Sequence, residues 1–113
     1  MTNGIYKTAK NQHQEVMDFI SRFTLDGKYK DVIDSFSFGC CYWFAYILHA
    51  RFVGEGTVIM YDQIDNHFGC KVSGKIYDIT GDVTEKYDWE NWSYLCCEDH
   101  LLTQNIKRDC INF

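Results

Sequence analysis

Residues 39–45 read Gly-Cys-Cys-Tyr-Trp-Phe-Ala and place two adjacent thiols at the head of an apolar run. From there onward, apolar residues recur at the three- and four-residue intervals of one helical face; they are Cys41, Phe44, Ala45, Leu48 and Phe52. The two glycines of Gly54-Glu55-Gly56 indicate that this helix ends near Val53. The pattern therefore predicts a central helix that carries Cys40 and Cys41 at its N-terminus.

Three stretches after this helix are typical of β-strands. Thr57–Tyr61 is rich in β-branched and aromatic residues and predicts a buried strand. Asn66–Val72 and Lys75–Thr80 predict two further strands, because Ser73-Gly74 between them suits the two-residue loop of a tight antiparallel hairpin. A helix followed by these strands predicts an α+β fold in which the central helix packs on a small antiparallel sheet.

The remaining segments are expected to cover this core. Asn11–Phe23 has the apolar spacing of an N-terminal helix, whereas residues 29–38 indicate an irregular approach to the central helix. Residues 88–92 are expected to form a short turn. Glu98 or Asp99 is expected to cap a last helix, whose apolar stripe is Leu102, Ile106 and Cys110. At 113 residues, 46% of them hydrophobic, the chain predicts one domain over 1–113 with one small core.

Charge and hydropathy exclude several classes of partner. The formal net charge of -5 repels phosphate backbones and anionic lipid, so neither nucleic acid nor a membrane is an expected partner. The longest apolar run, Cys40–Leu48, is far shorter than the roughly 20 residues that span a bilayer, and Met1–Gln14 lacks an apolar leader. A cytoplasmic protein is expected. Four acidic residues in or beside predicted loops are expected to be solvated: Glu55, Asp62, Asp65 and Asp82.

The chain has six cysteines, and four of them form the adjacent pairs Cys40-Cys41 and Cys96-Cys97. Adjacent residues do not easily reach the geometry of a disulfide with each other. Structural zinc sites space their ligands as Cys-x₂₋₄-Cys with a matching second half, and these pairs do not have that spacing. We therefore expect mostly reduced, buried cysteines, with neither a metal nor a cofactor.

The predicted hairpin brings a histidine and a carboxylate together. If Ser73-Gly74 is the loop, Gly69 lies opposite Asp78 and His67 lies opposite Thr80, so His67 and Asp78 are diagonal neighbours on one face. A carboxylate beside an imidazole supplies the orienting group that a general base requires. A thiol at a helix N-terminus is in turn favoured as the nucleophilic thiolate. The residues thus predict a thiol-based site.

The order of these residues resembles a known superfamily. Three segments carry the resemblance: Cys41-Tyr42-Trp43, Asn66-His67-Phe68 and Gly74-Lys75-Ile76-Tyr77-Asp78-Ile79-Thr80. They are similar to the thiol hydrolases of the papain-like and transglutaminase-like superfamily. The stretch from about Phe38 to Gly81 also resembles small uncharacterised proteins of bacterial mobile elements and phages that carry a Gly-x-Cys-Tyr-Trp-Phe-Ala motif. The resemblance implies a papain-like core.

The resemblance also implies a role for each residue that matches. Cys41 would be the nucleophile, His67 the base and later the acid, and Asp78 the group that fixes the imidazole tautomer. The backbone N–H of Cys41 would be one oxyanion donor. Papain-type enzymes take a second donor from an upstream Gln, whereas this chain offers Ser35, Ser37 and Cys40 before the nucleophile.

Several neighbouring residues remain open in their roles. Cys40, Asn66 and Ser37 are candidates to line the oxyanion site, and Cys40 is also a candidate packing residue, competing nucleophile or redox partner. Helical phase leaves Cys40 and Cys41 both possible as nucleophile, and the motif resemblance selects Cys41. The candidates for a substrate groove are aromatic: Trp43, Trp89 and Trp92.

Two functions follow as alternatives. The first is acyl transfer at an amide or thioester, most simply hydrolysis of a peptide or isopeptide bond in a peptide or protein substrate. The second is a phage or mobile-element binding protein that inhibits a host factor. In that protein, Cys41, His67 and Asp78 would be vestigial or would have only a structural role.

Overall fold

The computed structural model describes residues 9–37, 40–52, 54 and 56–92. These residues contain three helices and five strands. The helices are α1 (Ala9–Phe23), α2 (Lys30–Ser37) and α3 (Cys41–Arg51). The strands are β1 (Val58–Asp62), β2 (His67–Val72), β3 (Lys75–Asp78), β4 (Gly81–Asp82) and β5 (Glu90–Asn91). They form one antiparallel sheet in the order β4-β3-β2-β1-β5. The α+β class expected from the sequence is therefore confirmed.

Helix α3 is the central helix that the apolar spacing predicts. It begins at Cys41 and ends at Arg51, and it buries Cys41, Phe44, Ala45 and Leu48. The backbone N–H of Phe52 donates to the Leu48 carbonyl at 2.9 Å and closes the last turn. The side chain of Phe52 is also buried, which continues the predicted face by one more turn.

The hairpin of β2 and β3 has the register expected from its turn. Val72 pairs with Lys75, and Cys70 pairs with Tyr77. Ser73 and Gly74 have φ angles of 51° and 89°, and positive φ at both loop residues is typical of the type I′ turn that joins twisted strands. The register sets the two faces of β2, because successive side chains in a strand point to opposite sides.

The third strand ends two residues earlier than expected. It stops at Asp78, because Ile79 and Thr80 form a second tight turn and Asp78 pairs with Gly81 of β4. Gly81 has a φ of 116°, a backbone conformation that side chains disfavour. This turn places Thr80 directly beside the end of β3.

The two faces of the sheet are covered differently. One face packs against α1 and α3 in the main core, to which the sheet contributes Phe68, Cys70, Val72 and Tyr77. The other face carries a smaller apolar cluster of Met60, Ile76 and Val83, with Val58, Tyr87 and Trp89 packed against it. The alternation of β2 and β3 places His67 and Asp78 on the side of the smaller cluster.

Helix α2 occupies the region where an irregular segment was expected. Ile33 and Phe36 pack against the main core, and the Phe36 ring lies 5.6 Å from Phe23 and 5.7 Å from Phe44. Eight residues are too few for a stable isolated helix, so this packing stabilises α2. The backbone N–H of Cys40 then donates to the Ser35 carbonyl at 2.9 Å, which ties the end of α2 to the start of α3.

The remaining expectations have mixed outcomes. The N-terminal helix begins at Ala9, close to the expected Asn11, and ends at Phe23 as expected. Where a turn was expected in residues 88–92, the short strand β5 pairs with the outer edge of β1. The predicted last helix lies outside the described residues. Among those residues, no helix combines the length and the apolar character that crossing a membrane requires.

Candidate active site

Three strand ends and one helix start converge at one end of the sheet. Strand β1 ends at Asp62, β2 begins at His67 and β3 ends at Asp78, and Asp62 pairs directly with His67. Helix α3 begins at the same end, where the side chain of Cys41 is hydrogen-bonded to His67. Residues that are distant in the sequence thus meet because antiparallel neighbours bring their opposite ends together.

The imidazole of His67 is held by the carboxylate of Asp78. The distance from His67 Nε2 to Asp78 Oδ2 is 2.8 Å, and both residues are buried, with exposures of 7% and 5%. Because Asp78 occupies Nε2, Nδ1 is the ring nitrogen that remains for the Cys41 sulfur. The carboxylate therefore fixes the orientation of the ring toward the thiol.

Asp78 has two further hydrogen bonds on its other oxygen. Its Oδ1 accepts the backbone N–H of Thr80 at 2.7 Å and the Thr80 hydroxyl at 2.5 Å. Burial raises the pKa of Asp78, but the hydrogen bonds from His67 and from Thr80 outweigh burial and leave the pKa below its ordinary value. Asp78 is therefore ionised at neutral pH.

The protonated form of His67 is favoured by its neighbours. Burial lowers the pKa of His67, but the hydrogen bonds to Asp78 and Cys41 and the negative charges of both groups raise it from 6.5 to about 9. At neutral pH the ring is then an imidazolium that contacts both the Asp78 carboxylate and the Cys41 side chain. Such a pairing supplies both a nucleophile and a proton donor.

Cys41 lies where a helix stabilises negative charge. It is the first residue of α3 and is 3% exposed, and the preceding Cys40 is the N-cap residue. The unpaired N–H groups and the positive dipole end of a helix start favour a thiolate. Cys40 is half-buried, and the structure records no disulfide at Cys40 or Cys41. The hydrogen bond to His67 is made by Cys41, the residue that the motif resemblance selects.

Two aromatic rings cover the imidazole from the second face of the sheet. Tyr87 stacks on His67 with ring centroids 4.8 Å apart and planes at 30°, and Trp89 lies 6.1 Å from His67. The Trp89 indole is fixed because its Nε1 donates to the Val83 carbonyl at 3.1 Å. A ring stacked on an imidazolium stabilises its charge and limits the access of water.

Gly69 provides the space that Trp89 occupies. A Cβ at this position would lie 2.9 Å from Ile76 Cγ2 and 3.0 Å from Trp89 Cη2. Both distances are too short for an ordinary contact, so a larger residue would displace the indole or the strand. The glycine in β2 therefore permits Trp89 to lie against the sheet beside His67.

An acidic groove lies beyond Tyr87. It has a volume of about 260 Å³, and its charged walls are Asp62, Asp65, Glu85, Lys86 and Asp88. Burial raises the pKa of the Tyr87 phenol, and the negative charges of Asp78, Asp65 and Asp62 raise it further. Tyr87 thus stacks on the imidazole and also lines this acidic groove.

Asp62 differs from the expectation that it would be solvated. It is 1% exposed, and its two carboxylate oxygens accept the backbone N–H groups of Ile64 at 3.3 Å and Asp65 at 3.0 Å. The carboxylate shapes the turn between β1 and β2, which leads directly into His67. A side chain at the end of a strand is buried when it closes the adjoining turn, and the sequence pattern does not show this.

The other candidate residues lie at different distances from the site. Trp89 is beside His67, whereas Trp92 packs against Tyr61 and Phe68 in the main core. Trp43 is 40% exposed on α3 and contacts the rings of Tyr42 and Tyr46. The structure therefore brings one of the three predicted groove tryptophans to the imidazole.

The oxyanion candidates are placed as follows. Asn66 precedes His67 with a φ of 52°, and its Oδ1 accepts a hydrogen bond from the Tyr61 hydroxyl. Ser37 is the last residue of α2, and Cys40 precedes Cys41 as the N-cap residue of α3. Tyr87 and Thr80 are not predicted as site residues from the sequence, since contacts across a loop or a turn leave no periodic signal.

Within residues 9–37, 40–52, 54 and 56–92, no group of three or more His, Cys, Asp or Glu side chains is placed to hold a metal ion. Comparisons with family models, curated proteins and solved structures give no match.

Proposed function

We propose that the protein is a cysteine-dependent acyl-transfer enzyme with a papain-like or transglutaminase-like core. The observation that carries this proposal is the continuous hydrogen-bonded series from Cys41 through His67 to Asp78. Its most direct reaction is the hydrolysis of a peptide or isopeptide bond in a peptide or protein substrate. The structure records no disulfide at the described cysteines Cys40, Cys41 and Cys70, which supports our proposal of a reducing, cytoplasmic setting.

The first half of the proposed reaction acylates the thiol. The Cys41 thiolate attacks the carbonyl carbon of the substrate, and the carbonyl oxygen takes up the negative charge. The backbone N–H of Cys41 at the start of α3 stabilises this oxyanion, and Asn66 is a candidate to line the same position. As the C–N bond breaks, the imidazolium of His67 gives its Nδ1 proton to the leaving amine. A thioester on Cys41 remains.

The second half releases the product. Neutral His67 accepts a proton from a water molecule, which attacks the thioester carbonyl and forms a second oxyanion. Collapse of this intermediate releases a carboxylic acid and restores the thiolate and imidazolium. Asp78 remains ionised throughout and keeps the ring in the tautomer that both halves require.

Selective alkylation tests the nucleophile. Iodoacetamide at pH 7, followed by peptide mapping, is expected to label Cys41 in the folded protein, and the His67→Ala variant is expected to lose most of this labelling. Cys70 is the matched internal control, because it is fully buried and burial raises the pKa of its thiol to about 12. Equal labelling of Cys41 in the wild type and in His67→Ala would contradict the proposal.

Substitutions of Cys41 and His67 distinguish the enzymatic function from the alternative, a non-catalytic binding protein. Cys41→Ala is expected to abolish hydrolysis and the biological effect while the far-UV circular dichroism spectrum stays unchanged. The Cys40→Ser variant is expected to keep both activities. If Cys41→Ala and His67→Ala variants both keep the full biological effect, a non-catalytic protein that binds a host factor is the function that remains.

A further inference from the structure

Two Asp-x-Thr turns follow one another in the chain and have the same internal hydrogen bonds. In Asp78-Ile79-Thr80, the backbone N–H and the hydroxyl of the threonine donate to Asp78 Oδ1 at 2.7 Å and 2.5 Å. In Asp82-Val83-Thr84, the corresponding distances to Asp82 Oδ1 are 3.0 Å and 2.6 Å. Each threonine therefore fixes one oxygen of the preceding aspartate.

The second oxygen of each aspartate has a different partner. Asp78 Oδ2 lies 2.8 Å from His67 Nε2 in a buried pair, whereas Asp82 Oδ2 lies 3.5 Å from Lys75 Nζ in an exposed pair. The two turns have the same internal hydrogen bonds, but the carboxylate of the first turn contacts buried His67, whereas that of the second contacts exposed Lys75. The chain thus contains its own control for the effect of the turn.

Fixing Oδ1 determines where Oδ2 points. A carboxylate on a free side chain rotates about its terminal bond, a torsion that is broad for aspartate. Two donors on Oδ1 restrict this rotation and leave Oδ2 directed at the imidazole. They also satisfy a buried oxygen whose loss of partners would be costly, since Asp78 is only 5% exposed.

We propose that Thr80 is a positioning residue of the site, which acts by holding the Asp78 carboxylate in the orientation that directs Oδ2 at His67. The proposal deepens the proposed function and rests on it, because the orientation matters to a reaction only if His67 transfers protons. Thr80 itself is exposed, so its substitution by valine removes the hydroxyl without opening a cavity.

The experiment is an NMR titration of the His67 ring in four proteins. The wild type, Thr80→Val, Thr80→Ser and Thr84→Val are compared, and His67→Gln assigns the resonance. We expect the midpoint of the His67 titration to fall by on the order of one pH unit in Thr80→Val. It should return to the wild-type value in Thr80→Ser, since serine restores the hydroxyl. Thr80→Ala replaces the valine variant if that variant does not fold.

Thr84→Val separates positioning from stability. The Thr84 hydroxyl also accepts the backbone N–H of Ile76 at 2.9 Å, so its loss removes a further bond of the sheet. We expect Thr84→Val to lower the unfolding midpoint at least as much as Thr80→Val while leaving the His67 midpoint unchanged. If the titration midpoint of His67 shifts equally in Thr80→Val and Thr84→Val, general destabilisation explains the shift and the positioning role of Thr80 is overturned.

Alkylation and hydrolysis distinguish this proposal from the proposed function. Thr80→Val is expected to shift the upper limb of the pH profile for Cys41 alkylation downward by the same amount as the His67 titration midpoint, and Thr80→Ser is expected to restore it. A His67 midpoint that does not move in Thr80→Val overturns the positioning role even if peptides are hydrolysed. A midpoint that moves in a protein that hydrolyses no acyl substrate supports the positioning role and contradicts the enzyme.

Discussion

His67 and Asp78 are eleven residues apart in the sequence, and their side chains meet at 2.8 Å because a two-residue turn folds β2 onto β3. The pair is buried between the sheet and the ring of Tyr87. Both charges are retained there, because each has a partner that offsets the cost of burial. The acid–base properties of the site therefore depend on this one contact.

Removing the charge of Asp78 is expected to lower the pKa of His67 from about 9 toward its ordinary value of 6.5. In the proposed reaction, the Asp78→Asn variant should also slow acyl transfer by about 10²- to 10⁴-fold, because the amide favours the wrong tautomer of the imidazole. Histidine NMR and steady-state kinetics measure the two effects. Asp82→Asn is the control and should change neither quantity; a loss of activity there would argue against a specific role for Asp78.

The stability that protonated His67 contributes is expected to depend on pH. The pKa of His67 is about 9 in the folded protein, against 6.5 ordinarily, so the contribution is complete below pH 6.5 and is lost as the pH rises through 9. Its size is on the order of 3 kcal/mol. Urea denaturation of the wild type and of His67→Gln should give free energies of unfolding that converge between pH 6.5 and pH 9.5. A constant difference over this range would contradict the raised pKa.

Substitution of Gly69 by alanine is expected to destabilise the protein by about 1 to 3 kcal/mol, because the added Cβ would lie 3.0 Å or less from Ile76 and Trp89. Displacement of Trp89 should also change the tryptophan fluorescence and expose His67. Gly54→Ala is the matched control, since a Cβ there would meet nothing within 4 Å. Chemical denaturation measures the free energy of unfolding of both variants. Equal values for Gly69→Ala and Gly54→Ala would contradict the close packing at Gly69.

The aromatic contact between α2 and α3 is expected to contribute strongly to stability. Phe44 is 1% exposed, and its ring lies 5.2 Å from Phe23 and 5.7 Å from Phe36. Phe44→Ala should cost about 3 to 5 kcal/mol through the cavity that it leaves. Tyr46→Ala on the exposed side of the same helix should change the free energy of unfolding by about 0.5 kcal/mol or less. Similar losses in both variants would contradict the placement of Phe44 in the core.

The charge around the site is expected to select among thiol reagents. The net charge is -5, and the groove beside Tyr87 has acidic walls. At low salt, a positively charged methanethiosulfonate should therefore modify Cys41 about tenfold faster than a negatively charged one of similar size. The ratio should fall with added salt and in the double variant Asp65→Asn, Glu85→Gln, but not in Asp18→Asn on α1. Rates that are independent of reagent charge would contradict this field.

The sequence predicts most of the elements that position the site. The face of α3 follows from a period of 3.6 residues, and the His67 and Asp78 neighbours follow from a period of two and a recognisable turn. These are local signals, and each depends on a few adjacent residues. The same rules placed the end of β3 two residues too late, because the turn at Ile79 and Thr80 has no glycine in its loop positions.

Tertiary contacts are the part of the structure that local sequence patterns do not predict. Helix α2 is short and stabilised by Phe23 and Phe44, which are distant in the sequence. The stacking of Tyr87 on His67 depends on the path of a long loop, for which neither spacing nor composition gives a signal. The hydrogen bond between Cys41 and His67 likewise depends on how α3 packs across the sheet, a geometry that the resemblance implied but the residue pattern did not.

The arrangement of the hairpin has a consequence for the order in which the protein folds. Residues 67–78 contain the whole acid–base pair, and a hairpin of this kind forms within about 1 to 10 μs. Cys41 lies on a separate helix upstream, which reaches the pair only after a longer loop has closed. We therefore expect partly folded chains to bring His67 and Asp78 together before Cys41 reaches them.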